Sequence, residues 1–195
     1  MSCDAVRELY EQGLCEICGA VSLDWVRQAR EFVAAMKPHV KFGGLRCELS
    51  FASTEKAFDW RELVAGSDIL GAVLKEALGS DFKLLRIGGI ASFPESDDQD
   101  VHRDGQPLFP LECSGGVPLP PHAVHVWIPI DQYSLAAGAT SFYAGTHRTV
   151  GRLLEDLPPD QVGAVVRPVI GLGDCIVFDD RYFRTRCTLM GVTRS

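Results

Sequence analysis

Hydrophobic and polar positions change rhythm partway along the chain. In the first part, apolar residues recur at helical spacing. Asp4 to Gly13 places Val6, Leu9 and Tyr10 on one side of a short helix. Leu14 to Val21 is rich in Cys, Ile and Val and reads as a strand. Ser22 is a good N-cap, and a helix is predicted over Ser22–Lys37 with Trp25, Val26, Ala29, Phe32, Val33 and Met36 as its stripe. A further helix is predicted over Ser67–Leu78, carrying Ile69, Leu70, Val73, Leu74, Ala77 and Leu78 and stopping at Gly79. Both stripes read as core faces, and these two helices are expected to pack together.

From Lys83 onward the texture is short strands and turns. Lys83 to Ser92 reads as a strand weakened by Gly88 and Gly89. Ala123 to Ile130 alternates, with Val124, Val126, Ile128 and Ile130 on one face and His125, Trp127 and Pro129 on the other. Gly138 to Ala144 is a further strand. Val165 to Ile170 and Cys175 to Phe178 flank Gly171-Leu172-Gly173-Asp174, which reads as a hairpin turn. Helices followed by many strands predict a mainly β fold with flanking helices, a jelly-roll sandwich or barrel of the cupin kind. At 195 residues the chain suits one domain, with a helical part over 1–80 and a β core over 81–195.

Composition narrows the class of function. A net charge of −7 and a pI near 5.2 argue against nucleic acid as a partner. No apolar run is long enough to span a bilayer, and the N-terminus lacks the regions of a signal peptide, so a cytoplasmic location is expected. Seven cysteines, an odd number spread along the chain, suit free thiols better than a disulfide framework. Cys15-Glu16-Ile17-Cys18 has redox or half-zinc-site spacing, but nothing completes a zinc site, so both cysteines are expected to be buried in a strand.

The most specific chemistry lies in Val101-His102-Arg103-Asp104-Gly105. On an extended strand, residues two apart share a face, so His102 and Asp104 converge on one point and can offer a metal an imidazole nitrogen and a carboxylate oxygen. With a second histidine from elsewhere, such a pair makes the facial triad of non-haem Fe(II) oxygenases. The plainer alternative is a solvated loop with a local His–Asp hydrogen bond. The polar run from Pro94 to Asp100 reads as a loop feeding the motif. His147 is read either as a further ligand or as an anchor for its own loop. His39, His122 and His125 are expected to be structural or surface residues.

Several segments, in order, resemble the phytanoyl-CoA dioxygenase family of Fe(II)/2-oxoglutarate oxygenases. Gln99-Asp100-Val101-His102-Arg103-Asp104-Gly105 is similar to its Gln-x-x-His-x-Asp metal segment. Val126 to Asp131 resembles its central strand, Gly138 to Arg148 its Gly-Ser-His-Arg stretch, and Gly173 to Arg181 the strand leading to its second iron histidine. The resemblance implies a double-stranded β-helix, Fe(II) and 2-oxoglutarate as cofactor and cosubstrate, and a small organic molecule as substrate. It implies His102 and Asp104 as iron ligands, and Gln99, Trp127 and Phe142 as candidates for the pocket wall. The stretch from Gln106 to His122 reads as a flap over the site mouth.

The chain departs from that pattern at the third ligand. The family's second iron histidine falls six residues beyond Phe178, and that position is Arg184. A guanidinium is always cationic and has no lone pair to donate to a metal. It is expected to repel Fe(II) and to pair with Asp104, an interaction of roughly 4 kcal/mol at about 4 Å and an effective dielectric near 20. Tyr182 lies too far along the same strand to replace the ligand. Arg194, ten residues beyond position 184, matches the arginine that holds the far carboxylate of 2-oxoglutarate, one residue short of the family spacing. The chain ends just beyond it, as in a shortened or diverged member. Two readings stand: an oxygenase acting on a small organic molecule, or a non-catalytic relative that keeps the fold as a binding or partner protein. A metal-dependent cupin of another kind is a remote third.

Overall fold

In the computed structural model of the chain, residues 2–35, 40–42, 46–50, 67–92, 98–109, 119–135, 138–149 and 153–186 are described. The expectations for Met36, for the loop before Asp98, for most of the flap and for Arg194 lie outside the described residues.

Three α-helices occur among these residues: α1 (Ser2–Gln12), α2 (Leu23–Ala35) and α3 (Asp68–Leu78). Local chemistry sets their ends. The Ser22 hydroxyl accepts from the Trp25 amide at 3.1 Å, and the Ser67 hydroxyl from the Leu70 amide at 3.2 Å, each satisfying an otherwise unpaired first-turn donor. Gly13, at φ 86°, ends α1 with its amide on the Leu9 carbonyl. A side chain there would run into the Tyr182 ring and the His147 Nδ1, so the close approach requires glycine. Among the described residues no helix is long and apolar enough to cross a membrane.

Among the described residues the strands form three antiparallel sheets of three. The first has the order β1 (Leu14–Ile17), β8 (Cys175–Asp179), β5 (Val124–Trp127). The second runs β2 (Val40–Phe42), β3 (Arg46–Ser50), β4 (Gly88–Ser92). The third runs β7 (Val165–Val166), β6 (Thr140–Tyr143), β9 (Arg184–Arg186). Strand alternation in the first sheet divides the interior in two. Cys15, Ile17, Cys175 and Val177 join Val6, Leu9, Leu70, Val73 and Leu74 in a core under α1 and α3. Leu14, Ile176 and Phe178 face the other way and meet Phe142 of β6 and Tyr182. Each large apolar side chain sealed this way contributes about 1.5–3 kcal/mol. Chain order does not separate the layers, since β1 is laid on β8.

Several expectations are corrected. The helix that shares this core with α3 is α1 rather than α2, because Val6 and Leu9 supply the stripe that meets Leu70 and Val73. Strand Lys83–Ser92 starts only at Gly88, and Val165–Ile170 shortens to two residues before Pro168, which lacks an amide for the ladder. The segment Gly171–Asp174 is a tight turn, with Asp174 Oδ2 accepting from the Gly171 amide at 2.9 Å. It is not a hairpin: β8 is already flanked by β1 and β5, so the turn carries the chain between sheets. Cys15 is buried in β1, where burial pushes its thiol up to about 12, but Cys18 lies beyond the strand and is exposed.

Candidate metal centre

Residues 98–104 form no regular strand. Their one backbone ladder contact among the described residues is an antiparallel bridge in which the His102 amide donates to the Arg184 carbonyl at 3.0 Å and the Arg184 amide donates to the His102 carbonyl at 2.8 Å. The i, i+2 strand argument for His102 and Asp104 is therefore corrected to a single bridge followed by a bend at Asp104. The two side chains still approach one another, with His102 Nε2 3.9 Å from Asp104 Oδ1. Gly105 then passes directly over the Asp180 carboxylate, where any side chain would collide, and its amide donates to the Asp180 carbonyl at 2.9 Å.

His102 Nδ1 donates to the Asp100 carbonyl at 2.7 Å. A carbonyl only accepts, so Nδ1 carries the proton and the neutral ring keeps its lone pair on Nε2, the nitrogen nearest Asp104. That is the tautomer a metal ligand needs.

The guanidinium of Arg184 occupies the third side of the cluster. Its Nε donates to Asp104 Oδ2 at 3.1 Å, and Nη2 lies 2.7 Å from Oδ1 and 2.5 Å from Oδ2, so both carboxylate oxygens are engaged. The cation also lies 4.8 Å from the centre of the Trp127 ring and 5.7 Å from that of Phe178. Nη1 is buried with no hydrogen-bond partner.

His125, read from sequence as a structural or surface residue, belongs to this cluster. Its Nε2 is 3.4 Å from Asp104 Oδ2, and its ring stacks on Phe178 at 5.0 Å. Burial holds its pKa below the ordinary histidine value and Arg184 and Arg86 add to that, while Asp104 and Asp180 oppose it. Asp180 is shifted the other way: burial raises its pKa, helped by Asp179 and Asp104 and opposed by His125 and His122. The signal for His125 was present in the alternation of β5, which puts it on the same face as Trp127.

The other candidates separate clearly. Trp127 is half-buried and faces the guanidinium. Phe142 is fully buried against Phe178, Trp127 and Tyr182, so it is a core residue and not a pocket wall. Gln99 contributes its carbonyl, which accepts from the Thr185 hydroxyl. His147 donates from Nε2 to the Tyr10 carbonyl at 3.1 Å and stacks on Tyr182, which makes it an anchor for α1.

Among the described residues, no three His, Cys, Asp or Glu side chains form a group that could hold a metal ion. The described residues of this cluster therefore do not fit a resident Fe(II). The Asp104 carboxylate is spent on a guanidinium, and that guanidinium stands where a third donor is required.

A family model for phytanoyl-CoA dioxygenase matches residues 9–183. No curated protein matches the chain in sequence. Among solved structures, the fold is similar to that of SnoK, a non-haem alpha-ketoglutarate-dependent carbocyclase from nogalamycin biosynthesis, at TM-score 0.75 and 21% identity over 98% of this chain and 79% of that one. It is also similar to the epimerase SnoN in complex with Fe3+, alpha-ketoglutarate and nogalamycin RO, at 0.72 and 16% over 97% and 78%. HygX from Streptomyces hygroscopicus, with nickel, 2-oxoglutarate and hygromycin B bound, follows at 0.69 and 14% over 96% and 81%. The family uses Fe(II) and 2-oxoglutarate.

Proposed function

The chain belongs to the phytanoyl-CoA dioxygenase family, and from that premise we propose that it is a single double-stranded β-helix domain of the Fe(II)/2-oxoglutarate oxygenase type, built around a small organic molecule, in which Arg184 keeps iron out. His102 and Asp104 keep the identities of iron ligands, Trp127 walls the pocket, and Arg194 is the candidate partner for the far carboxylate of 2-oxoglutarate. SnoN and HygX hold small organic molecules on this fold, which supports that class of ligand here. The chain as it stands binds such a molecule and does not oxidise it.

One observation carries this reading: both oxygens of Asp104 accept from Arg184. A dication entering there meets a fixed positive charge and a carboxylate already neutralised, while the removal of Arg184 would free the carboxylate. The test is anaerobic Fe(II) titration followed by succinate release from 2-oxoglutarate, for the unmodified chain and for Arg184→His. The expected result is no iron and no succinate for the first, with iron bound by the second. Stoichiometric iron and succinate from the unmodified chain would overturn the reading.

A second reading, an active oxygenase completed by another group, is favoured by His125 alone, whose Nε2 lies 3.4 Å from Asp104 Oδ2. Turnover by the unmodified chain that disappears in His125→Ala would establish it.

A further inference from the structure

The contacts around Arg184 do more than exclude a cation. Residues 99–104 are tied to β9 at three successive levels: the Thr185 hydroxyl donates to the Gln99 carbonyl, His102 and Arg184 exchange both backbone bonds, and the Arg184 side chain grips Asp104. β9 is the last strand of its sheet, next to β6, so these contacts lay the segment along the sheet's open edge. Between the two site residues, Arg103 points the other way. Its guanidinium lies 3.8 Å over the Phe183 ring and donates to the Thr149 carbonyl at 3.1 Å and to the Thr149 hydroxyl at 3.2 Å. The segment is thus clamped on both faces, with Arg184 on the site side and Arg103 behind.

We propose that Arg184 is a tethered cation that takes over the cross-linking role of a metal, fastening the His102–Asp104 segment to β9 permanently and without any metal. This rests on the reading that iron is kept out. A bound metal would join the segment to position 184 through coordinate bonds to both; the guanidinium makes the same connection with two parallel charge-assisted hydrogen bonds. Its planar fork is what allows this, and the aromatic rings of Trp127 and Phe178, 4.8 and 5.7 Å from the guanidinium carbon, pack against it. A lysine at 184, a single point charge on a flexible stem, matches the charge and not the geometry.

The inference is tested on the full chain by thermal unfolding with and without EDTA, and by hydrogen exchange at the His102 amide, which is bonded to the Arg184 carbonyl. For the unmodified chain, EDTA leaves the melting temperature unchanged. Arg184→Ala lowers it by roughly 5 °C and speeds exchange at His102 by about tenfold. Arg184→Lys restores little of either. Asp104→Asn, which alters only the other partner, produces a loss of the same kind, and adding it to Arg184→Ala costs little more. Unchanged exchange at His102 in Arg184→Ala would overturn the cross-link while leaving the exclusion of iron intact. A fall in melting temperature of the unmodified chain on adding EDTA would instead show a resident metal and remove the reading beneath both.

Discussion

Two arginines three residues apart, Arg181 and Arg184, each pair with an aspartate, and the two pairs are built in opposite ways. Arg181 reaches back two residues to Asp179. Its Nε and Nη2 donate to the two carboxylate oxygens at 2.8 and 2.6 Å, its own amide donates to Oδ1 at 2.9 Å, and Nη2 also reaches the Leu119 carbonyl at 3.1 Å. Arg184 reaches across 80 residues to Asp104 and leaves Nη1 buried and unpartnered, with His102 and His125 beside it. The first pair lines a cleft of about 340 Å³ with Tyr10, Pro120 and Arg148, yet no buried guanidinium atom of that pair lacks a partner among the described residues. The contrast is instructive. A local pair with no buried atom unsatisfied reads as architecture, whereas a long-range pair with a buried unsatisfied nitrogen and two imidazoles beside it is the centre proposed above.

The largest effect should separate the two pairs by stability. Arg181→Ala leaves Asp179, which is 1% exposed, as a buried charge without its ion-pair partner. Breaking a buried pair from one side costs about 3–5 kcal/mol, roughly 10 °C in melting temperature for a chain of this size. Arg184→Ala should cost about half that, because the Asp104 side chain is 27% exposed and can rehydrate. Equal losses, or the reverse order, measured by calorimetry on both variants, would break the distinction between architecture and site.

How far this contrast could be read from sequence depends on where each interaction gets its information. The helix from Ser67 to Gly79 carries its own cap, stripe and stop, so its limits were legible. The alternation of β5 was legible too, since period two needs only local residues. The turn at Gly171–Asp174 was legible as a turn but not as a crossover, because strand partners are chosen by the whole sheet. Strand pairing also hid the role of His125: its face was readable, but what lies opposite that face is set by residues 104 and 184, brought in from far along the chain. Position 184 itself was legible only through spacing shared with a family, and the bidentate geometry of its contact with Asp104 was not. The Arg181–Asp179 pair went unnoticed because an Asp-x-Arg spacing is common and its burial is a property of the fold.

The next effect sharpens the comparison by chemistry. Arg184→His should gain stoichiometric Fe(II) binding, detected anaerobically by titration, because it removes the cation from Asp104 and supplies a lone pair beside His102. Arg181→His should gain none, since Asp179 faces the opposite side of the strand from the cluster. Iron bound equally by both variants would mean that Arg184 does not keep iron from Asp104, because Arg181→His leaves that cation in place.

A smaller effect concerns protons on the architectural side. His147, beside Asp179 and Arg181, has its pKa lowered chiefly by burial; Arg148 and Arg181 add to this, while the Tyr10 carbonyl and Asp179 oppose it. A histidine whose folded value lies below its unfolded value of about 6.5 stabilises fully above that value, and the contribution is lost as pH falls through the folded value. Urea midpoints measured from pH 7.5 to pH 5 should therefore fall more steeply for the unmodified chain than for His147→Gln, in which an amide keeps a donor for Tyr10. Parallel curves would show that His147 does not titrate across unfolding.

The smallest effect falls on the residue between the two members of the local pair. Asp180 follows Asp179 and precedes Arg181, but its carboxylate lies on the other side, against Gly105, and Oδ1 is buried without a partner. Burial raises its pKa, which means the fold prefers the protonated acid and bears a cost for the carboxylate at neutral pH. The sign follows: a raised folded value contributes stability below the unfolded value of about 3.8 and loses it as pH rises through the folded value. An asparagine copies the uncharged acid at every pH. Asp180→Asn should thus be more stable than the unmodified chain by about 0.5 kcal/mol at pH 7, with the advantage gone near pH 3.5. The measurement is the urea midpoint of both chains at the two pH values. A less stable Asp180→Asn at pH 7 would mean that the Asp180 charge is needed to balance His125, His122 and Arg184, and that the centre extends one residue closer to the architectural pair than its hydrogen bonds indicate.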